Sequence, residues 1–212
     1  MQTLQQRSPD LSVIVPVYNL EPFIGHLLQT LKAQILDDIT VEHIFVLNNC
    51  TDDSEGVIRR SELPNTTILN CEEQGCGPAR NMGFDISRGE FVWYMDGDDW
   101  LLSRTALRDV TRIAKKHRLN ILRVPFKSDK FKMQYFSMVW QYLLYRDFIK
   151  GIRFPSIQPC EDDVYMAEVL AKVGADRNNY LMLPTVSQPL YYYNYLRVGS
   201  NMYRHYRGET LT

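Results

Sequence analysis

No stretch of this 212-residue chain stays apolar for longer than a β-strand, well short of the ~20 residues that a bilayer-spanning helix needs. The opening Met-Gln-Thr-Leu-Gln-Gln-Arg-Ser-Pro has no apolar core of the kind a secretory leader carries. Together these lead us to expect a soluble, cytoplasmic protein with no integral membrane segment. Excess charge of either sign is missing as well. There are 24 Lys and Arg against 25 Asp and Glu, a net charge of −1, and the pI is near 6.4. No global field therefore recruits nucleic acid or an anionic membrane, and an anionic ligand must be met by local groups. Cysteine is sparse. Cys50, Cys71, Cys76 and Cys160 show no CxxC or CxxxH spacing, which argues against zinc, and free thiols fit a reducing compartment. Internal repeats and low-complexity segments are absent.

What is present is a large apolar fraction, 45% hydrophobic and 12% aromatic, enough for one well-buried core with a small appendage. Short apolar runs alternate with helical periodicities. Ser12 to Val17 is nearly continuously apolar, the mark of a strand covered on both faces. Pro16 should stand at its end, because proline cannot donate to a ladder. Phe23, Ile24, Leu27, Leu28 and Leu31 then form one helical face. Ile44–Leu47 and Thr66–Asn70 read as further strands, Pro78–Ser87 and Ser103–His117 as helices, and Ile121–Val124 as another strand. The fold class is α/β with a mainly parallel, Rossmann-like central sheet flanked by helices. The pattern weakens between Lys127 and Phe154, where a loop and then a helix from about Ser137 to Asp147 are expected. The aromatics there, Phe131, Tyr135, Phe136, Trp140 and Tyr142, either cover a core or stack on sugar rings. A helix follows over Glu161–Val173, then strand-like Tyr180–Leu183 and Pro189–Tyr193.

One stretch concentrates chemistry. Phe91-Val92-Trp93-Tyr94 runs through Met95 into Asp96-Gly97-Asp98-Asp99, so a buried strand ends in three acids within four positions. Gly97 should supply the backbone freedom of a sharp turn. At ~4 Å and an effective dielectric near 20, each like-charge pair costs about 4 kcal/mol. Such a cluster needs a cation, a raised pKa or full hydration, and hard oxygen ligands suit Mg²⁺ or Mn²⁺. The simpler alternative is that Asp98 or Asp99 caps a helix starting near Leu101. A second acidic group, Glu161-Asp162-Asp163, opens a helix, where the dipole favours one or two carboxylates but does not require three.

Five segments carry a resemblance. Ser12–Asn19 (SVIVPVYN), Gly77–Gly83 (GPARNMG), Tyr94–Asp99 (YMDGDD) and Glu161–Asp163 (EDD) stand in this order, with a weaker Tyr193–Ser200 segment after them. The chain resembles a family 2 glycosyltransferase of the GT-A fold over nearly its whole length. On length and ending alone it is also similar to a capsid-glycosylating transferase domain of a large algal virus. The resemblance implies one GT-A domain, whole or cut from a longer polypeptide, with residues 11–125 binding the nucleotide sugar and 126–212 facing the acceptor.

The implied reaction is inverting transfer of a hexosyl or deoxyhexosyl group from a nucleotide-diphosphate sugar, UDP-linked by preference, to a hydroxyl of a glycan or glycoconjugate. The implied cofactor is Mn²⁺ or Mg²⁺. Pro16, Tyr18 and Asn19 would line the base-binding end, with Asn48 and Asp52 beside them. Asp98 would ligate the cation with Asp96 as its partner, Gly97 between them, and His205 as an extra ligand from the tail. Arg80 would help the leaving diphosphate or else pair with the acid cluster. Asp162 would be the catalytic base with Glu161 as its supporting neighbour. Asn48-Asn49 departs from the aspartate pair that many members carry and loosens the expectation of uracil, since an amide supplies no charge. Two rivals share parts of this chemistry. A sugar-nucleotide pyrophosphorylase would need a glycine-rich basic loop after the first strand, and Pro16-Val17-Tyr18-Asn19-Leu20 has neither glycine nor lysine. A non-catalytic carbohydrate-binding module would have no use for Asp162.

Overall fold

The structure is a computed structural model, and it describes residues 8–128, 138–157, 161–174, 180–182 and 188–194. Strands β1 (Leu11–Val17), β2 (Val41–Asn48), β3 (Thr66–Cys71) and β4 (Phe91–Tyr94) are mutually parallel. They alternate with helices α1 (Ile24–Lys32), α2 (Ser54–Arg60) and α3 (Cys76–Ile86). After β4 come a short strand β5 (Trp100–Leu101), helix α4 (Ala106–His117), and strands β6 (Ile121–Arg123) and β7 (Phe126–Lys127). Strand β8 (Tyr142–Tyr145), the single turn α5 (Arg146–Ile149), helix α6 (Glu161–Val173), and strands β9 (Tyr180–Met182) and β10 (Tyr191–Tyr192) complete the elements. The main sheet runs β3-β2-β1-β4-β8-β6-β9, and a small second sheet runs β5-β10-β7.

The continuous apolar runs follow from burial on both faces. Side chains alternate across a strand. Val13, Val15 and Val17 of β1 join Leu27, Leu31, Leu107 and Val110 of α1 and α4 in one core. Ile14 points the other way and joins Ala79 and Phe84 of α3 and Met166 and Val169 of α6 in a second core. The same split divides β4, with Phe91 and Trp93 in the first core and Val92 and Tyr94 in the second.

Pro16 sits where expected, for a specific reason. The Ile14 carbonyl accepts the Met95 N–H at 3.0 Å, so the backbone polar groups of residues 14 and 16 face β4. The β1–β4 pairing ends at Ile14 opposite Tyr94. The proline nitrogen therefore falls beyond the ladder, where no donor is missed.

Three expectations are corrected. No single helix runs from 138 to 147. A 3-10 turn at Val139–Gln141 leads into β8, which is antiparallel to both β4 and β6. Tyr142 and Leu144 face one core and Leu143 the other, so a two-sided sheet position outweighs a helical reading of the same apolar residues. Trp140 and Tyr142 are buried and cover the core, while Phe131, Tyr135 and Phe136 lie outside the described residues. The acids after β4 cap no helix: residues 100 and 101 are strand β5, and α4 begins at Ala106 after the N-cap Thr105. Gly97 does not owe its place to conformational freedom. Its φ is not positive, and a Cβ there would lie 2.5 Å from Leu20 Cδ1, so the glycine lets the β1–α1 loop pack close to the turn.

Candidate active site

The carboxyl ends of β1, β2, β3 and β4 form one rim, the position at which open α/β sheets bind ligands. Two loops are laced together along it. Asn19, in the left-handed region at φ +49°, accepts the Thr51 N–H through Oδ1 at 2.8 Å. The Glu21 N–H donates to Asp52 Oδ2 at 2.9 Å, and the Asp53 N–H donates back to Glu21 Oε2 at 2.9 Å. The Leu20 N–H donates to Ser54 Oγ at 2.8 Å, and Ser54 Oγ in turn donates to Asp52 Oδ1 at 2.6 Å. Burial works against ionisation of Asp52, but the donors from Ser54 and Glu21 hold its carboxyl below the usual range. Tyr18 projects from this laced rim with 56% of its surface exposed.

Asn48 plays a different part from its neighbours. Its Nδ2 donates to the Cys71 and Glu73 carbonyls at 3.2 and 2.6 Å, and its Oδ1 accepts the Gly75 N–H at 2.8 Å. The buried amide pins the turn between β3 and α3, with both of its protons used. Asn49, one residue on, is exposed at φ +56°.

The centre of the site is a single guanidinium. Arg80 enters from the first turns of α3 and is almost wholly buried. Its Nη2 donates to Asp96 Oδ1 at 3.0 Å, and its Nη1 donates to Glu161 Oε1 at 3.0 Å and Asp162 Oδ1 at 2.7 Å. The end of β4 and the start of α6 are thus joined through one cation. The Phe154 ring lies 5.3 Å from the Arg80 Cζ, within cation–π range, and is itself stacked on Tyr165 at 3.8 Å. Among the described residues, the buried Arg80 Nε has no hydrogen-bond partner. Burial would weaken the hold of Arg80 on its proton, but Asp162, Asp96, Cys76 and Glu161 outweigh it and raise its affinity further.

One positive charge faces three carboxylates, and the imbalance is absorbed at Asp162. Desolvation, the largest influence, pushes its carboxyl up to about 7. Glu161 and Asp96 add to the rise, while Arg80 and the Val139 N–H, 3.1 Å from Oδ2, oppose it. The turn after β4 is held from the far side by β10. Tyr191 donates its hydroxyl to Asp99 Oδ2 at 2.6 Å, and the Asn194 N–H donates to Asp99 Oδ1 at 2.8 Å. Desolvation, then the charges of Asp98 and Asp96, lift the Asp99 carboxyl well above the usual range despite these donors.

Among the described residues, no group of three His, Cys, Asp or Glu side chains is placed to enclose a metal ion. Asp96 and Asp98 supply hard oxygens, and Asp96 meets Arg80 through Oδ1 alone. That donor set fits a Mg²⁺ or Mn²⁺ held in an open site, not a closed protein cage. His205 lies outside the described residues. Of the residues singled out in the sequence, Arg80, Asp96, Glu161 and Asp162 are brought into contact, while Asn19 bonds Thr51 and Asp52 bonds Glu21 and Ser54 where the two loops are laced. Phe154, Tyr191 and Asn194 were not singled out. A Tyr-rich segment was visible, but its register against the acid turn depends on β10 pairing with β5.

A sequence profile described as Glycosyl transferase family 2 matches residues 12–163. The "Uncharacterized glycosyltransferase EpsJ" of Bacillus subtilis (strain 168) is 34% identical over 117 residues, 54% of this chain and 33% of EpsJ. "Poly(ribitol-phosphate) beta-N-acetylglucosaminyltransferase TarS" of Staphylococcus aureus (strain Mu50 / ATCC 700699) is 32% identical over 120 residues, 55% of this chain and 21% of TarS. The aligned stretch spans a third or less of these relatives. Among solved structures, S. aureus TarS 1-349 in complex with UDP matches with a TM-score of 0.75 at 22% identity, covering 87% of this chain and 60% of that one. Mannosyltransferase PcManGT from Pyrobaculum calidifontis, in complex with GDP-Man and Mn2+, matches with a TM-score of 0.71 at 18% identity, covering 95% and 61%. At such identities the likeness is one of fold, and the fold is the GT-A fold.

Proposed function

Because the chain belongs to glycosyl transferase family 2, we propose that it moves a sugar from a nucleotide-diphosphate donor, UDP-linked, to a hydroxyl of a glycan or glycoconjugate by direct displacement with inversion. The observation that carries this reading is the Arg80 bridge. An acid turn suited to a leaving diphosphate and a helix-start acid suited to proton removal converge on one guanidinium, at the rim where α/β sheets bind nucleotides.

In this reading the chain's residues divide the work. Tyr18 offers a ring face beside the laced loops for the base, with Asn19 and Asp52 holding those loops in shape. Asn49 is the exposed amide nearest the end of β2, whereas Asn48 is committed to the fold. Asp96 and Asp98 would hold the divalent cation, which when bound would stabilise negative charge on the leaving diphosphate. Asp162 Oδ2, bonded once by the Val139 N–H, retains a lone pair to take the acceptor hydroxyl's proton. Its carboxyl near 7 suits a general base at neutral pH. Glu161 shares Arg80 with Asp162 and keeps the guanidinium from neutralising the base fully. The free thiols of Cys50, Cys71 and Cys76 fit a reducing, cytoplasmic setting. No helix among the described residues is long and apolar enough to cross a membrane.

A thermal-shift screen of nucleotide sugars with and without Mn²⁺ tests the reading, since a ligand that binds only the folded state raises apparent stability. A UDP-sugar should give the largest shift, and it should need the cation. A chain that no nucleotide sugar stabilises would not be such a transferase.

A further inference from the structure

Strand β10 and the residues just after it contribute two side chains, Tyr191 and Asn194, that bond the acid turn. The Tyr191 ring is fully buried. It stacks on Trp140 at 5.0 Å and an 11° interplanar angle, and leans on Trp93 at 6.1 Å. Trp93 is fixed in turn, because its Nε1 donates to the Trp140 carbonyl at 2.8 Å. The hydroxyl of this immobilised ring is used twice. It donates to Asp99 Oδ2 at 2.6 Å and accepts the Asp96 N–H at 3.2 Å. Three residues on, Asn194 gives its backbone N–H to Asp99 Oδ1 at 2.8 Å and its Nδ2 to the Asp98 carbonyl at 3.2 Å. Every residue of the acid turn other than Gly97 is thereby gripped by Tyr191 or Asn194. Gly97 itself is wedged against Leu20.

We propose that Tyr191 and Asn194 are positioning residues for the diphosphate-cation end of the site, a clasp that holds Asp96 and Asp98 at the spacing a shared cation requires. The inference rests on the reading of Asp96 and Asp98 as cation ligands. Asp99 then has a definite role. Buried and bonded at both oxygens, it anchors the clasp and holds no ligand itself. The physical ground is that a cation bound by only two protein carboxylates takes its selectivity from their separation, and a turn ending a four-residue strand has little intrinsic rigidity.

Calorimetric titration of UDP into the full chain, with Mn²⁺ and separately with EDTA, tests this. The wild type should bind UDP more tightly when Mn²⁺ is present. Tyr191→Phe keeps the stacked ring and removes only the hydroxyl. It should lose roughly tenfold of the Mn²⁺-dependent gain while metal-free UDP affinity stays within about twofold. Asn194→Ala removes one side-chain bond and keeps the backbone donor, so its loss should be smaller, about threefold, in a variant with no buried ring to disturb. A general loss of packing would lower both affinities together and would overturn the clasp. Equal Mn²⁺ gains in the wild type and both variants would also overturn it, while leaving the cation reading intact. A wild type with no Mn²⁺ gain would overturn the cation reading, and the clasp with it.

Discussion

Arg80 Nη1 lies 2.7 Å from Asp162 Oδ1, while the same guanidinium reaches Asp96 through Nη2 at 3.0 Å. The proposed base and the proposed diphosphate end therefore share a cation that is almost entirely out of solvent. Asp162→Asn keeps an oxygen for Arg80 and removes the basic lone pair. Transfer should fall by about 10²–10⁴-fold, while UDP-sugar affinity, measured by calorimetry, stays within a few-fold. Near-normal turnover in this variant would remove Asp162 as the base.

The same carboxyl sets a pH dependence. Its folded-state value is raised from an ordinary 3.8 to about 7, chiefly by desolvation. A base works only when ionised, so kcat should rise as pH increases through about 7 and level off above it. Stability runs the other way. For a carboxyl raised on folding, the stabilising contribution is complete below the unfolded value and is lost as pH climbs towards 7. Urea titrations from about pH 4 to 8 should show this decline in the wild type, and Asp162→Asn should flatten it. A rate that does not rise with pH below 7 would contradict the assignment.

Arg80→Gln is the harsher test of the bridge. Removing one partner of a buried ionic cluster costs about 3–5 kcal/mol, here because Asp96, Glu161 and Asp162 would lose their shared cation. The variant should unfold at markedly lower denaturant concentration. If it retains activity, the kcat limb should move to higher pH, because Arg80 is the chief influence holding Asp162 down. A limb that stays put would mean the bridge has no electrostatic hold on the base.

Much of this architecture could be read from the chain, and the reasons are local. Strands β1 and β4 are legible because each is buried on both faces and so is apolar nearly without interruption, whereas β2 shows only its Ile44–Leu47 run because it also buries the polar Glu42, His43 and Asn48. Helix α6 was legible because its acids open it and its apolar positions repeat at helical spacing. A helical reading of β8 fails because its pattern records only burial, and the gap between β4 and β6 that it fills is invisible in sequence. Helix α2 was missed: its seven residues bury Ser54 and Ile58, too few for a clear period. The pairing of Arg80 with the acid turn is one of the two readings the sequence offers, and the structure bears it out, but its reach to Asp162 spans 82 positions. Tyr191 lies 92 positions from Asp99. Neither contact has a local signature.

Gly97 offers a steric test. With φ outside the positive region, Gly97→Ala should fail only because its methyl would meet Leu20 Cδ1 at 2.5 Å. The expected loss is about 1–3 kcal/mol by chemical denaturation. Leu20→Ala alone should also destabilise, by opening a cavity beside the turn. Combined, the two changes should cost clearly less than their sum, since each relieves the other. Strict additivity would mean that the requirement for glycine lies in the backbone after all.

Asn48→Asp changes the amide to the carboxylate that the family resemblance would lead one to expect here, and it should do harm. Asn48 Nδ2 donates to the Cys71 and Glu73 carbonyls at 3.2 and 2.6 Å. A carboxylate has no protons to give, so it would face two carbonyl oxygens in a buried site. Losing both donors and adding a desolvated charge should cost about 2–4 kcal/mol, the range for stripping partners from buried polar groups. The loss should ease at low pH, where a protonated carboxyl at this position regains one donor, giving the variant a stability that falls as pH rises from about 4 to 7. The β3–α3 turn leads directly into Arg80, so the same change should weaken donor binding even in molecules that remain folded. An Asn48→Asp protein as stable as the wild type at neutral pH would show that the turn adopts another set of hydrogen bonds, and that Asn48 is available to the nucleotide after all.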